Sequence, residues 1–285
     1  MSPSLECVPN FSEGRRPKVV AAIADAMRVP GVQVLDASSD VDHNRSVITL
    51  AGEPDGLIEA MLAAAAVAKR AIDLAHHEGV HPRIGALDVC PFVPLAGTPM
   101  ALAVETAERF AERLAGDHDI PAYLYAEAAR RPERVVLADL RRGVLANPDF
   151  GSAPAHVSAG ATAVGARFYL IAFNVELASN DVNLARSIAR RVRERDGGLP
   201  AVRSLGLMLS ERAQVSMNLV DYRQTGLHEA LEAVSRFATD AGVAVHRSEI
   251  VGLVPQVALG PDAHRALELP EEAAFYWIED RLAQA

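Results

Sequence analysis

The segment His76-His77-Glu78-Gly79-Val80-His81-Pro82-Arg83-Ile84-Gly85 concentrates groups able to move protons. Gly79 and Pro82 predict that the preceding helix has stopped, which puts His81 on a loop, where binding and catalytic side chains are over-represented. An imidazole with an ordinary pKa of about 6.5 can take up a proton and return it near neutral pH. The plain alternative is a histidine that is exposed or merely hydrogen-bonded. A metal site fits poorly. Helical zinc pairs place two histidines four residues apart on one helix face with a glutamate between them, whereas His77 and His81 span the predicted helix end. No metal is expected.

Two further segments carry candidate chemistry. Asp40-Val41-Asp42-His43-Asn44-Arg45 is a polar turn entering a strand, and its Asp and Asn side chains suit bonding to their own backbone. Arg45 adds a planar, permanently charged donor that matches a carboxylate. Gly160-Ala161-Thr162-Ala163-Val164-Gly165-Ala166-Arg167 reads as a small-residue loop running into a strand. It has the glycine spacing of a phosphate loop, but no Lys-Ser/Thr follows, and the next element is a strand and not a helix, so nucleotide phosphate binding is rejected. Small residues let a backbone approach a flat ligand, and they equally allow tight packing. No GxSxG elbow is present to support a Ser-His-Asp triad.

The elements that must position these groups follow a repeated order. Strands are predicted at Leu5–Pro9, Val32–Ala37, Arg45–Ala51 and Leu87–Val93, with helices at about Arg16–Arg28 and Asp55–Ala75. Pro54 sits where a helix start tolerates proline, and Pro30-Gly31 closes the helix before it. The second half reads Phe168–Leu177 strand, Asp181–Arg195 helix, Ala201–Leu209 and Ala213–Asp221 strands, Leu227–Ala241 helix and Val243–Val251 strand. Asn180-Asp181 is a helix cap and Gly197-Gly198 a stop. Each half is βαββαβ, the order of the ferredoxin-like split βαβ unit. The expected fold is therefore α+β, with two such subdomains, residues 1–178 and 179–285, and a ligand cleft between them. Between the halves lie a helix near Ala103–Leu114, a strand at Pro121–Tyr125 and an irregular stretch from Gly143 to Ser158. Alternation along the later strands leaves Asn174, Glu176, Gln214, Ser216 and Asn218 on a face that helices do not cover. That face is either solvated or the wall of the cleft.

Composition narrows the class. The chain has 285 residues, half of them hydrophobic, enough for a full core. Its apolar stretch from Leu57 to Leu74 is broken by Glu59, Lys69, Arg70 and Asp73, so it is a poor membrane span, and Met1–Cys7 lacks the pattern of a secretory signal. Cys7 and Cys90 are too few for a disulfide framework and read as buried thiols of a reducing compartment, so the expected location is cytoplasmic. A net charge of −9 disfavours nucleic acid and anionic membranes as partners, and anionic substrates would need arginines gathered locally.

Several segments together resemble one family. Glu6–Gly14 is similar to the opening of glutamate formimidoyltransferases, and His81-Pro82-Arg83-Ile84-Gly85-Ala86-Leu87-Asp88-Val89-Cys90-Pro91-Phe92 resembles the same family closely. Gly160–Arg167 with Leu170–Asn174, Gln214–Leu219 and Ser248–Pro255 match it too, so the resemblance spans nearly the whole chain. It implies two ferredoxin-like subdomains around a folate site, with His81 as acid/base. It implies that Gly160, Ala161, Thr162, Ala163, Val164, Gly165, Ala166 and Arg167 contact folate, and that the protein is a homodimer. Asn10, Arg45, Arg83 and Asn218 are the substrate-binding candidates, with Arg167 a further candidate for a carboxylate. The chain ends at Ala285 with no cyclodeaminase domain of the animal kind, so that step is expected of another protein. Two departures stand out: the Arg142–Pro148 loop looks shorter than in relatives, and Ala159 stands where animal relatives carry an aromatic that would stack.

The activity implied is transfer of a formimino group from N-formimino-L-glutamate to tetrahydrofolate, a co-substrate, with one histidine acting first as base and then as acid. Alternatives are formyl transfer between 5-formyltetrahydrofolate and glutamate, or a folate-binding module without turnover. An RNA-recognition sheet is disfavoured because Arg45–Ala51 and Ala213–Asp221 carry no aromatics.

Overall fold

The computed structural model describes residues 4–95, 97–142, 146–259, 263–269 and 276–284. The chain divides into two compact units, Met1–Arg167 and Phe168–Ala285.

The first unit runs β1 (Leu5–Cys7), β2 (Asn10–Phe11), α1 (Pro17–Ala26), β3 (Val32–Asp40), β4 (Arg45–Gly52), α2 (Pro54–Ala71), β5 (Leu87–Pro94), α3 (Met100–His118), β6 (Ala122–Ala126), α4 (Leu137–Arg142) and β7 (Thr162–Ala166). Its sheet has β3 at one edge, then β4, then β1 and β2 end to end, then β5, β7 and β6. The first strands pair antiparallel, and β7 is parallel to both β5 and β6. Pro17 and Pro54 occupy first turns, where a missing N–H costs nothing. Alternation along β4 sends Ile48 and Leu50 into the main core with Phe11, Phe92 and Phe110, under α1, α2 and α3. Arg45, Val47 and Thr49 take the opposite face. Part of that face is closed by a smaller cluster in which Leu140 of α4 meets Val89, Tyr123, Tyr125, Ala161 and Ala163. Cys7 and Cys90 are buried free thiols, their sulfurs 3.7 Å apart.

The second unit runs β8 (Ile171–Leu177), α5 (Val182–Val192), β9 (Val202–Met208), β10 (Ala213–Leu219), α6 (Leu227–Asp240) and β11 (Val245–Val251). Its main sheet orders these four strands β11-β8-β10-β9, antiparallel throughout, and Leu253–Val254 pairs separately and parallel with Tyr276–Trp277. Asp181 caps α5, accepting from the N–H groups of Asn183 and Leu184 at 2.8 and 3.2 Å. Phe173, Val175, Val215, Met217 and Leu219 fill the core beneath α5 and α6. Among the described residues no helix is long and apolar enough to cross a membrane.

Three expectations need correction, and a fourth is refined. The helix after Pro54 ends at Ala71, and only a short 3-10 turn, Leu74–His76, follows. Ile72 is extended and the Asp73 carboxylate bonds the Ala75 N–H at 3.0 Å, so helical bonding stops well before Gly79. The small-residue segment at 160–167 is mostly strand β7, held on both sides by parallel neighbours. The units part between Arg167 and Phe168, earlier than the expected boundary after Ala178, because β8 bonds to β10 and β11. Finally, the polar face of the second sheet is not uniformly solvated: Asn174, Glu176 and Gln214 are buried while Asn218 is exposed. Asn174 donates to Glu249 at 3.1 Å, and Arg247 places two N–H groups on one oxygen of Glu176 at 3.0 and 2.7 Å. Of the irregular stretch expected at 143–158, residues 143–145 lie outside the described residues, as does part of the loop between Arg142 and Pro148.

Candidate active site

Three segments of the first unit are laced together to build the site. The Gly14 N–H donates to Asn44 Oδ1 at 2.9 Å, and Asn44 Nδ2 donates to Glu78 O at 2.7 Å. The Val80 N–H donates to Asp42 O at 3.2 Å, and Ser12 Oγ donates to Gly85 O at 2.8 Å. The turn before β4 and the loop before β5 are therefore held side by side. Gly79 is required there, since a Cβ would lie 2.5 Å from His43 O. At Gly85 a Cβ would lie 2.0 Å from Ala161 O, so only glycine lets the loop's end rest on the start of β7.

This lacing brings the His81 imidazole within the electrostatic reach of a charged cluster. The His81 Nδ1 lies 2.8 Å from Pro82 O. A carbonyl oxygen only accepts, so Nδ1 carries the hydrogen and Nε2 keeps the lone pair in the neutral ring. The ring of His43 faces it, with centroids 5.9 Å apart. Burial, then the positive charges of Arg45 and Arg141, hold His81 well below its ordinary value of 6.5; Asp88 and the Pro82 carbonyl oppose this only in part. His81 is thus neutral at neutral pH, with an open nitrogen able to accept a proton.

Asp88 organises the cations. Its side chain is fully buried on β5, and its Oδ2 accepts from Arg45 Nη1 at 2.7 Å and from Arg141 Nη2 in a closer contact. Its Oδ1 takes the Ile84 N–H at 2.7 Å. Burial alone would raise its pKa, but Arg141, Arg45 and the Ile84 N–H outweigh that and hold the carboxyl far below the usual carboxylate range. Arg45 also donates Nε to Asn10 Oδ1 at 3.0 Å, and Asn10 is fixed by donating to Val8 O at 2.9 Å.

Of the residues expected from sequence, His81, Arg45 and Asn10 come together. Arg83 turns into its own loop, donating to Gly79 O at 2.8 Å and to His81 O at 2.5 and 3.1 Å, and it also contacts His77, so it shapes the loop that carries His81. Gly160 to Ala166 are buried; Ala161 donates to Ile84 O at 2.9 Å, and Thr162 Oγ1 to Leu87 O at 2.7 Å, which makes the segment a floor under the loop. Arg167 alone of the eight is partly exposed, and its side chain bonds Tyr125. Ala159 lies in the core and accepts the Ala86 N–H at 2.8 Å. Asn218 belongs to the second unit, exposed on β10. Sequence reasoning gave no role to Asp88, Arg141 or His43. Asp88 did carry a signal, a lone carboxylate inside the apolar run of β5. Among the described residues no three His, Cys, Asp or Glu side chains converge as metal ligands, and His76 pairs instead with Asp73 at 2.9 Å.

Comparison with known proteins places this geometry. The family described as "Formiminotransferase domain, N-terminal subdomain" matches residues 4–167, the whole described part of the first unit, and "Formiminotransferase domain" matches residues 172–277. The chain belongs to the formiminotransferase family. A "Glutamate formimidoyltransferase" of Streptococcus pyogenes serotype M1 is 41% identical over 273 residues, 91% of each chain. One of Thermoplasma acidophilum is 43% identical over 282 residues, 93% of this chain and 92% of that one. A "Formimidoyltransferase-cyclodeaminase" of Rattus norvegicus is 40% identical over 302 residues, covering 99% of this chain and 54% of the relative, so this formiminotransferase chain spans about half of that protein.

Proposed function

We propose that this chain is a glutamate formimidoyltransferase: it moves the formimino group of N-formimino-L-glutamate to tetrahydrofolate, giving 5-formimino-tetrahydrofolate and glutamate. The observation that carries the reading is the neutral His81 imidazole, its Nε2 open, beside the Arg45–Asp88–Arg141 cluster, in a chain that is 41–43% identical to two glutamate formimidoyltransferases over nine-tenths of their length. The strand order of each unit, with the fourth strand of βαββαβ beside the first and the third on its other side, supports a ferredoxin-like reading of both.

The chemistry assigned to the residues is economical. Tetrahydrofolate supplies the nucleophilic nitrogen N5. His81 Nε2 accepts the proton that N5 must lose, and the imidazolium so formed gives that proton to the glutamate nitrogen as the carbon–nitrogen bond breaks. A histidine held below 6.5 suits both halves of this task. It is unprotonated at the outset, and its protonated form is a stronger acid than an ordinary imidazolium. The Nδ1–Pro82 bond keeps the ring from rotating its open nitrogen away. Arg45 stands ready for a substrate carboxylate in a chain of net charge −9. Arg167, partly exposed beside Tyr125, is the member of the 160–167 segment assigned to a folate carboxylate.

Incubating the protein with tetrahydrofolate and either N-formimino-L-glutamate or, in the reverse sense, 5-formyltetrahydrofolate and glutamate tests the reading. Formation of 5-formimino-tetrahydrofolate from the first pair, at a rate well above the second reaction, is the expected result. Transfer only in the formyl reaction, or binding without turnover in both, contradicts it.

A further inference from the structure

We propose that Arg141 and Arg45, sharing Asp88 beside His81, form an anion subsite for a carboxylate of the amino-acid donor, with the Nε–H of Arg141 as its unused donor. The inference rests on the formimino-transfer reading for the identity of the anion, but the subsite itself stands on charge and geometry.

Two guanidinium groups meet one carboxylate oxygen, Asp88 Oδ2, so among the described residues one positive charge of the cluster is left without a carboxylate of its own. The three side chains are nearly sealed, with 10% of Arg45, 13% of Arg141 and none of Asp88 exposed. A buried charge without a counter-charge is expensive, and proteins keep one where a ligand arrives to match it. The Nε of Arg141 supplies the second observation. It is enclosed and meets no acceptor among the described residues. Buried N–H groups are nearly always bonded, so an unbonded one beside an unmatched positive charge marks the place of an acceptor anion. A carboxylate is the fitting class, because a guanidinium presents its donors in a plane with the spacing of two carboxylate oxygens.

The position of the subsite gives it a second effect. The groups that face His81 are Arg45 on β4, Asp88 on β5, Arg141 on α4, the His43 ring from the neighbouring turn, and the Pro82 carbonyl on its own loop. Without ligand the two arginines disfavour the imidazolium. An anion seated on them offsets that field, so His81 becomes a better base when the donor is bound. Affinity and basicity are then linked: the anion raises the His81 pKa, and protonation of His81 tightens the anion by the same factor.

The test uses glutarate, a dicarboxylate lacking the reactive nitrogen, with the full-length protein, its Arg141→Gln and Arg141→Lys variants, calorimetry for binding, and NMR of the His81 ring for its titration midpoint. Wild-type protein is expected to bind glutarate, and the His81 midpoint to rise on binding. Arg141→Gln should weaken glutarate at least about tenfold, the factor for a lost hydrogen bond to a charged group, and should raise the His81 midpoint even without ligand. Arg141→Lys keeps the charge and guards against misfolding of the glutamine variant; it should fall between the two. Equal glutarate affinity in all three proteins, or a His81 midpoint indifferent to glutarate, overturns the subsite. Glutarate binding that depends on Arg141 in a protein without formimino transfer would sink the function and keep the subsite. Full transfer activity in a protein that binds no glutarate would do the reverse.

Discussion

The Nδ1 of His81 sits 2.8 Å from the carbonyl oxygen of Pro82, the very next residue, and this one bond decides which ring nitrogen does chemistry. Nδ1 is committed as a donor, so Nε2 is the only nitrogen that can accept a proton. Pro82 has no N–H of its own and a restricted φ, which helps hold its carbonyl where the ring can reach it.

Activity should hold to a lower pH than an ordinary histidine allows. His81 is the base, so its neutral form is the active one in the free enzyme, and its pKa is lowered from 6.5 by burial and then by Arg45 and Arg141. The acidic limb of kcat/KM is therefore expected below pH 6.5. A pH profile measured with saturating tetrahydrofolate checks this; a limb at or above 6.5 shows that neither burial nor the two arginines lower the imidazole as argued.

Removing the charge of Asp88 should cost stability more than it alters any surface pair. Asp88→Asn leaves Arg45 and Arg141 without their shared counter-charge, a change worth about 3–5 kcal/mol at buried pairs. Urea denaturation at pH 7 reads it directly. The same pair sets an acid limit. The folded-state pKa of Asp88 lies below its ordinary 3.8, so the stability it gives is whole above that value and is lost as pH falls below it. The asparagine variant should lose this acid dependence.

Gly85→Ala should disturb both fold and catalysis. The added Cβ would lie 2.0 Å from Ala161 O, and that neighbour is backbone within the sheet's support, unable to swing aside. Overpacking of this kind costs about 1–3 kcal/mol, and the displaced loop carries His81. A thermal melt and kcat measured together should both fall. A stable variant with normal kcat would show that the loop's rest on Ala161 does not hold His81 in place.

Arg45→Lys should raise the KM for the amino-acid donor. Arg45 reaches Asn10 with Nε and Asp88 with Nη1 at once, 3.0 and 2.7 Å away, and a single ammonium cannot reproduce that fork. Steady-state kinetics in each substrate decides it; unchanged KM values for both would remove Arg45 from substrate binding.

The regular elements were legible because their patterns are local. Val215, Met217 and Leu219 alternate and do lie in the core, Pro54 does open α2, and Asp181 does cap α5. Strand β7 was missed for a physical reason. A parallel strand between two neighbours is buried on both faces and shows no polar alternation, so Thr162–Ala166 looks like a small-residue loop. Helix α4 spans six residues, too few to display a helical period. The site was half legible. His81 announces itself by residue type and loop context, and Arg45 by a planar charge beside a turn. Arg141 does not, because it reads as one of two adjacent surface arginines, and it finds Asp88 across 53 positions of sequence through the packing of α4 on the sheet. Nor does any local pattern reveal that burial, and then cations from two other elements, would rob His81 of its ordinary pKa.

The decisive measurement is single-turnover formation of 5-formimino-tetrahydrofolate by wild-type protein and by His81→Ala, with both substrates saturating. The wild-type rate should exceed that of the variant by roughly 10²–10⁴-fold, the usual effect of losing a general acid/base, while tetrahydrofolate binding measured separately is largely kept. A variant that turns over at the wild-type rate would contradict the assignment of the reaction's proton transfers to His81.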